Sequence, residues 1–276
     1  MTCRARQSAQ LRGTSLVLFG FLAAAAALVP APAMAADPVV AVWYRGTPAG
    51  TPKQEELAII RALGFNGIAW PASETRGVEA LKKMAAAVGL SVTVTDRGRR
   101  VAPESPAASG RGVDILVTPL NATALTALAW RAVAHGAREI AFDSGASQGA
   151  GIENPDRSLK PWVHLAIDMA RQITSNPRLI NAMRPGPGVI VTPDRGPDLD
   201  VVMLDAERSW VIVATNTSSA PVAATVRLPA GTAYAIWLNL LDATTLAMVG
   251  EPAGPRWNLK MEPRSARVYV IDKVMK

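Results

Sequence analysis

The chain has 276 residues, of which 49% are hydrophobic and 18% are charged. This length is enough for one large or two modest domains. The composition excludes a disordered protein. The formal net charge is +7, and the only cysteine is Cys3, so a disulfide framework is excluded.

The first 35 residues predict a secretory signal peptide. Arg4, Arg6 and Arg12 precede an unbroken apolar run at residues 16–29, and the segment 33–35 (AMA) has the small residues of a cleavage site. The alternative, a retained membrane anchor, is disfavoured because the run is shorter than the ~20 residues that span a bilayer. Cleavage would leave 26 basic and 22 acidic residues, a net charge of +4. We therefore expect a secreted or periplasmic protein that is free of the membrane after cleavage.

Strand-like and helix-like segments alternate between residues 39 and 187. The predicted strands are 39–44, 65–70, 90–95, 113–118 and 139–142, and the predicted helices are 55–63, 76–88, 122–135 and 159–174. Short strands that alternate with helices indicate parallel strands joined by right-handed crossovers.

Local signals place the ends of these helices. Thr51 is the expected N-cap of the first helix, with Gln54 at the third helical position. Gly64, Gly89 and Gly136 each follow a helical segment and precede a strand, which is the usual position of a helix-stopping glycine. The repeated helix–glycine–strand unit supports a regular α/β arrangement.

The pattern changes after the linker Arg184–Gly188. Eight short strands separated by proline and glycine turns are predicted at residues 189–192, 200–204, 210–215, 223–228, 234–237, 246–249, 257–261 and 266–271. This pattern is typical of an antiparallel β-sandwich. The predicted organisation is a signal peptide at 1–35, an α/β domain at 36–187 and an all-β domain at 188–276.

Chemically useful side chains follow several predicted strands. Tyr44 and Arg45 follow the first strand. Trp70 ends the second strand, and Glu74 lies in the loop after it. Asp96 and Arg97 follow the third strand, and Asp143 follows the fifth. Sites in parallel α/β proteins lie at the carboxyl ends of the strands, so these groups would meet on one rim. Aromatic rings stack on sugars, and carboxylates serve as acids and bases.

Each assignment has a structural alternative. A tryptophan in the position of Trp70 is more often a core residue than a sugar platform. Asp96 and Asp143 could cap the loops that follow them. Arg97 begins a basic loop that could be solvated or could bind an acidic polysaccharide or a phosphate. Phosphate-loop and dinucleotide-binding fingerprints are absent from the sequence, as is a basic patch with interleaved aromatic residues. No cofactor, metal or nucleic-acid partner is therefore expected.

Several segments resemble β-galactosidase-like glycoside hydrolases. WYRG at 43–46, RALGF at 61–65 and WP at 70–71 resemble the first β–α–β unit of their barrel, and residues 129–140 resemble its last unit. The later segments 210–216 and 267–270 resemble their accessory β-sandwich. The resemblance implies a β/α barrel followed by a sandwich, and acid/base hydrolysis of a glycosidic bond in a carbohydrate.

The chain also departs from that family. A complete barrel takes about 250 residues, whereas only about 150 are available here, so the fold class expected is a partial or reduced TIM-like β/α barrel followed by an antiparallel sandwich. The family's two catalytic glutamates have no counterpart. Asp143 and Asp96, with Glu74 in reserve, are the carboxylates that could replace them.

Two hypotheses follow. The first is an exported glycoside hydrolase in which Asp143 and Asp96 form the acid/base pair, and Tyr44, Arg45, Trp70 and Arg97 hold the sugar. The second is a non-catalytic carbohydrate-binding or cell-envelope protein on a degenerate glycosidase fold. An incomplete barrel exposes strand edges, which the sandwich, a loop or a second subunit of a homodimer would cover.

Overall fold

The computed structural model describes residues 38–43, 53–72, 77–95, 112–115, 124–143, 161–194, 196–230, 237–242, 245–246 and 254–273. The helices are α1 Gln54–Ala62, α2 Val78–Ala87, α3 Leu125–Ala134, α4 Pro161–Thr174 and α5 Pro177–Ala182. The strands are β1 Val39–Trp43, β2 Gly67–Pro71, β3 Ser91–Thr95, β4 Gly112–Ile115, β5 Glu139–Asp143, β6 Arg184–Pro185, β7 Ile190–Thr192, β8 Leu199–Ala206, β9 Ser209–Asn216, β10 Val222–Arg227, β11 Trp237–Asn239, β12 Thr245–Leu246, β13 Arg256–Met261 and β14 Ser265–Asp272. Among the helices in these ranges, none combines the length and the apolar character that a membrane crossing requires.

The N-terminal half contains a five-stranded parallel sheet in the order β3-β2-β1-β5-β4. Strand β1 lies in the centre and pairs with β2 on one side and β5 on the other. Each step from β1 to β2, from β2 to β3 and from β4 to β5 runs in the same direction across the sheet. Right-handed crossovers in one direction place all their helices on one face.

One face of this sheet, the helix face, is covered accordingly. Val40, Ile68 and Ile140 are buried in the same hydrophobic cluster as Leu57 of α1 and Leu81 of α2. Residues of α3 and α4 belong to this cluster as well. The apolar faces predicted for the helices are therefore the faces that bury the sheet.

The three predicted glycine stops are confirmed. Gly64, Gly89 and Gly136 have φ angles of +107°, +76° and +95°, a region that favours glycine. After α2, the N–H of Leu90 donates to the carbonyl of Ala85 at 2.9 Å, and the N–H of Gly89 donates to Ala86 at 3.1 Å. This hydrogen-bond pair is a Schellman motif, which satisfies the last carbonyls of the helix.

The C-terminal half forms two antiparallel sheets. One has three strands in the order β13-β10-β7, and the other has six in the order β12-β11-β14-β9-β8-β6. Val226 and Leu259 from the smaller sheet share a hydrophobic cluster with Ile212, Tyr269 and Ile271 from the larger one. The rings of Trp257 and Tyr269 meet edge to face across it, with centroids 6.2 Å apart.

Helix α3 lies between the parallel sheet and the six-stranded sheet. Eight of its ten residues are buried, which is expected only of a helix covered on more than one side. Val211 and Val268 of the six-stranded sheet join the cluster that contains Trp130 of α3. A charged contact accompanies this packing, because the Oδ2 of Asp200 on β8 lies 3.3 Å from Arg131 Nε and 2.7 Å from His135 Nε2.

Two local predictions are wrong. The N-cap of α1 is Lys53 and not Thr51, and Glu56 at the third helical position accepts a hydrogen bond from the Lys53 N–H at 3.3 Å. The segment predicted as a linker contains β6, which forms an edge strand of the six-stranded sheet through its pairing with β8. Pro185 is tolerated there because an edge strand has one face of its backbone unpaired.

The predicted mixture of α/β and antiparallel β structure is confirmed. The strand positions in both halves agree with the sequence analysis to within a few residues, including β8, β9, β10, β13 and β14. Closure of the parallel sheet into a barrel, the sandwich architecture of the C-terminal half, and the domain boundary at residue 187 stay predictions.

Candidate functional site

The parallel strands β1, β2, β3 and β5 end at one edge of their sheet, which we call the carboxyl edge. Its described members include Trp43, Pro71, Thr95 and Asp143, the last residues of those four strands, and the fifth strand, β4, ends on the same side at Ile115. Asp143 is in register with Trp43 on the neighbouring strand. The structure therefore places the backbone of one predicted catalytic residue at the edge where parallel sheets carry their sites.

Trp70 occupies a different environment from the one predicted for a sugar platform. It lies on β2, is 5% exposed and belongs to the hydrophobic cluster between the sheet and the helices. An indole that is packed among core side chains does not offer a ring face to a solvent-borne sugar. Its burial favours the core alternative that the sequence left open.

The remaining predicted site residues lie outside the described residues. They are Tyr44, Arg45, Glu74, Asp96 and Arg97. Tyr44 directly follows the last residue of β1, and Asp96 directly follows the last residue of β3. Their participation in a site stays a prediction.

The face of the parallel sheet opposite the helices, the inner face, is lined by small side chains. Ala41, Ala69 and Ala141 form a separate buried cluster there, with Val39 packed against it. Gly67 belongs to the same face, because a Cβ at this position would lie 2.4 Å from Val39 Cγ1 and 3.3 Å from Ala41 Cβ. The inner face therefore has no room for one additional methyl group near Gly67.

A polar contact crosses the inner face from β3 to β5. The side chain of Thr93 is near enough to the carboxyl of Glu139 to lower its pKa. Strands β2 and β1 lie between these two strands, and three strand spacings of about 4.8 Å would separate β3 from β5 by about 14 Å in a flat sheet. Side chains of this length meet only if the sheet curls strongly toward its inner face.

Glu139 itself is perturbed by this location. Burial raises the pKa of the Glu139 carboxyl above its ordinary value, and the hydrogen bond from Thr93 partly lowers it. A carboxyl with a raised pKa retains its proton to higher pH than an exposed glutamate, which is a property of general acids. Glu139 is the first residue of β5, so it lies at the end of the sheet opposite the carboxyl edge.

Glu139 lies in a strand, as predicted, but it was not among the predicted functional residues. The signal was available, because Glu139 directly precedes the apolar residues Ile140, Ala141 and Phe142 of β5, and a glutamate is rarely placed beside a buried segment without a partner. Asn66 was missed as well. Its Oδ1 accepts a hydrogen bond from the Val40 N–H at 2.7 Å, and its Nδ2 donates to the Pro38 carbonyl at 2.9 Å. Asn66 therefore joins the start of β2 to β1 and has a structural role.

No group of three or more histidine, cysteine, aspartate or glutamate side chains that could hold a metal ion occurs within the described ranges. The site chemistry that those residues provide is carboxylate chemistry, with Asp143 at the carboxyl edge and Glu139 on the inner face.

No protein-family model and no curated protein matches this chain. Solved structures of low similarity include a GH30 endoxylanase from Clostridium papyrosolvens (9% identity, TM-score 0.40, covering 86% of this chain and 96% of that one). Others are an Anoxybacillus alpha-amylase (10%, TM-score 0.39, 81% and 63%) and a GH27 β-L-arabinopyranosidase from Geobacillus stearothermophilus (10%, TM-score 0.35, 80% and 62%). Similarity at these values assigns the chain to no family.

Proposed function

We propose that this chain is an exported, glycoside hydrolase-like protein that acts on a carbohydrate at the carboxyl edge of its parallel sheet. The observation that carries the proposal is the parallel sheet, in which β3 and β5 end at the same carboxyl edge. The effect of Thr93 on the pKa of Glu139 agrees with β3 and β5 lying near each other across the inner face. Asp96 follows β3, and Asp143 ends β5. Hydrolysis needs two carboxyl groups about 5–9.5 Å apart, and converging strands are a way to bring such a pair together.

The strand order supports the architecture that this function requires. In a β/α barrel, consecutive strands are neighbours and the last strand pairs with the first. The sheet has the same order, because β1, β2 and β3 are neighbours, β4 and β5 are neighbours, and β5 pairs with β1. Only the pairing of β3 with β4 is missing from this sheet, so the barrel would be open there. All the helices that cover the sheet lie on one face, as they do on the outside of a barrel. A reduced barrel of this kind, followed by a β-sandwich, is the fold that we propose.

The roles within the site follow from the chemistry. Asp143 and Asp96 would act as the acid/base pair, one protonating the leaving oxygen while the other activates water or attacks the sugar. Tyr44 is the remaining candidate for stacking on the sugar ring, since Trp70 is buried. The resemblance of the segments 43–46 and 61–65 to β-galactosidase-like hydrolases agrees with this arrangement.

The decisive experiment compares the purified protein with Asp143→Asn and Asp96→Asn on a panel of oligosaccharides and polysaccharides. We expect the wild type to release reducing sugar and each variant to lose about 100-fold or more of that activity. Asp168→Asn is the matched control, because Asp168 is an exposed aspartate on α4. Equal activity of Asp143→Asn and Asp168→Asn would contradict the role of Asp143.

The same panel tests the non-catalytic alternative. Glycan binding without turnover by the wild type would identify a carbohydrate-binding protein, and the absence of both binding and turnover would contradict both hypotheses.

Export is tested separately by mass spectrometry of the protein recovered outside the cytoplasm. We expect an N-terminus at Ala36, and an intact Met1 in the recovered protein would contradict cleavage.

A further inference from the structure

A cleft lies between the end of α3 and the β6–β8 strand pair, away from the carboxyl edge. Its volume is about 250 Å³, and its lining includes Arg138, Arg184 and the backbone around Gly136 and Gly186. The cleft is therefore large enough for a small anion and part of the molecule that carries it.

The charges that line the cleft are positive. Arg138 and Arg184 both contribute, and the described lining contains no aspartate or glutamate. Two acidic groups of β8 have other partners: Asp205 Oδ1, on the register partner of Arg184, lies 2.6 Å from Lys273 Nζ, and Asp200 Oδ2 lies 2.7 Å from Nε2 of the lining residue His135. Two arginines thus line one cleft whose described lining contains no carboxylate.

Backbone carbonyls fix the two guanidinium groups side by side. The Met183 carbonyl accepts hydrogen bonds from Arg138 Nη2 at 3.1 Å and from Arg184 Nη1 at 2.8 Å. Arg138 Nη1 also donates to the Ala137 carbonyl, and Arg184 Nη1 to the Asn181 carbonyl. These carbonyls orient the side chains but are uncharged, and within the described part of the chain no ion pair compensates the positive charge of either group.

This like-charge pair carries an electrostatic cost. Burial, and secondly the positive charge of Arg184, lower the pKa of Arg138. Among the described residues, the Nε groups of both arginines donate no hydrogen bond. An oxyanion is the ligand that would relieve the repulsion and accept these donors, because the planar guanidinium fork matches phosphate and carboxylate oxygens.

We propose that this cleft binds a small oxyanion, the phosphate or carboxylate group of a small molecule, between Arg138 and Arg184. The site is independent of the proposed carbohydrate function, because Arg138 precedes the first residue of β5 and so lies at the opposite end of the sheet from Asp143. A purely structural role is the competing explanation, in which the arginines serve only to hold the carbonyls at the ends of α3 and α5.

Isothermal titration at pH 7 and low ionic strength separates the two explanations. Sodium phosphate and sodium glucuronate are the probes, with sodium chloride at matched ionic strength and glucose as controls. We expect saturable binding of phosphate, glucuronate or both, and no binding of the controls. Which probe binds distinguishes a phosphate from a carboxylate ligand. Absence of saturable binding for both probes would overturn the proposal.

Variants then locate the site. Arg184→Gln should weaken binding about tenfold, as expected for the loss of a charge-assisted hydrogen bond. Arg178→Gln removes the same charge from an exposed position on α5 and should bind like the wild type. Circular dichroism checks that Arg184→Gln is folded. If Arg184→Gln does not fold, Arg184→Lys takes its place, because lysine retains the charge but not the guanidinium fork. Equal affinities of the Arg184 and Arg178 variants would overturn the assignment.

Discussion

The two faces of the parallel sheet differ in what they pack. The helix face buries large side chains, among them Val40, Ile68, Ile140 and Phe142, against the helices, and the ring of Phe142 contacts Phe65 edge to face at 6.3 Å. The inner face has Ala41, Ala69, Ala141 and Gly67 at the corresponding depth. A sheet whose side chains are large on one face and small on the other can curl toward the small ones. This difference in residue size would favour the curl that the proximity of Thr93 and Glu139 indicates.

The largest expected effect comes from a cavity on the helix face. Ile140 is 1% exposed in the main cluster, so Ile140→Ala should lower the free energy of unfolding by about 2–5 kcal/mol. Denaturant titration followed by circular dichroism measures the change. A loss below about 1 kcal/mol would mean that the helices do not cover this face closely.

Adding one methyl group to the inner face should have a smaller effect of a different origin. In Gly67→Ala, the new Cβ would lie 2.4 Å from Val39 Cγ1 and 3.1 Å from Ser91 Oγ. Overpacking of this kind costs about 1–3 kcal/mol. Because the closest atom belongs to Val39, the loss should be smaller in a Val39→Ala background. The same loss in both backgrounds would show that crowding with Val39 is not the cause.

Glu139 predicts a pH dependence of stability that Glu139→Gln should remove. Its pKa is raised in the folded protein, so between the unfolded and folded pKa values the folded state binds more protons. Stability contributed by the protonated carboxyl is present below this interval and is lost as the pH rises through it. The slope of unfolding free energy against pH should therefore be more negative in the wild type than in Glu139→Gln.

Thr93→Val sharpens the same measurement. Removal of the hydroxyl abolishes the hydrogen bond that favours the carboxylate, so the pKa of Glu139 should rise further and the pH interval should extend upward. Carbon-13 NMR titration of the Glu139 carboxyl provides the direct readout. A pKa that stays unchanged in Thr93→Val would contradict the contact across the inner face.

The smallest effect is expected at Val94, which provides the baseline. Val94 lies on β3 but is 41% exposed. Val94→Ala should change the free energy of unfolding by no more than about 0.5 kcal/mol. If Val94→Ala cost as much as Ile140→Ala in the same denaturant titration, burial would not explain the difference between the two positions.

Local chemistry made much of the fold predictable. Gly64, Gly89 and Gly136 act through the helix they follow, so neighbouring residues were enough to identify them. Contacts between distant segments were not predictable in the same way. The Thr93–Glu139 contact depends on the curvature of four strands, and the burial of Trp70 depends on which face of β2 the helices cover. Arg184 and Pro185 looked like a linker because their pairing partner, β8, is recognisable only once the sheet is assembled.

The position of α3 has a consequence for the order in which the protein can fold. This helix is covered by the parallel sheet on one side and by β8, β9 and β14 on another, and β14 lies near the end of the chain. Until β14 has been synthesised, part of α3 would present apolar surface to water. A fragment that ends after α5 should therefore self-associate. We expect native structure in the first half to require the second, so the two halves should unfold in a single cooperative transition.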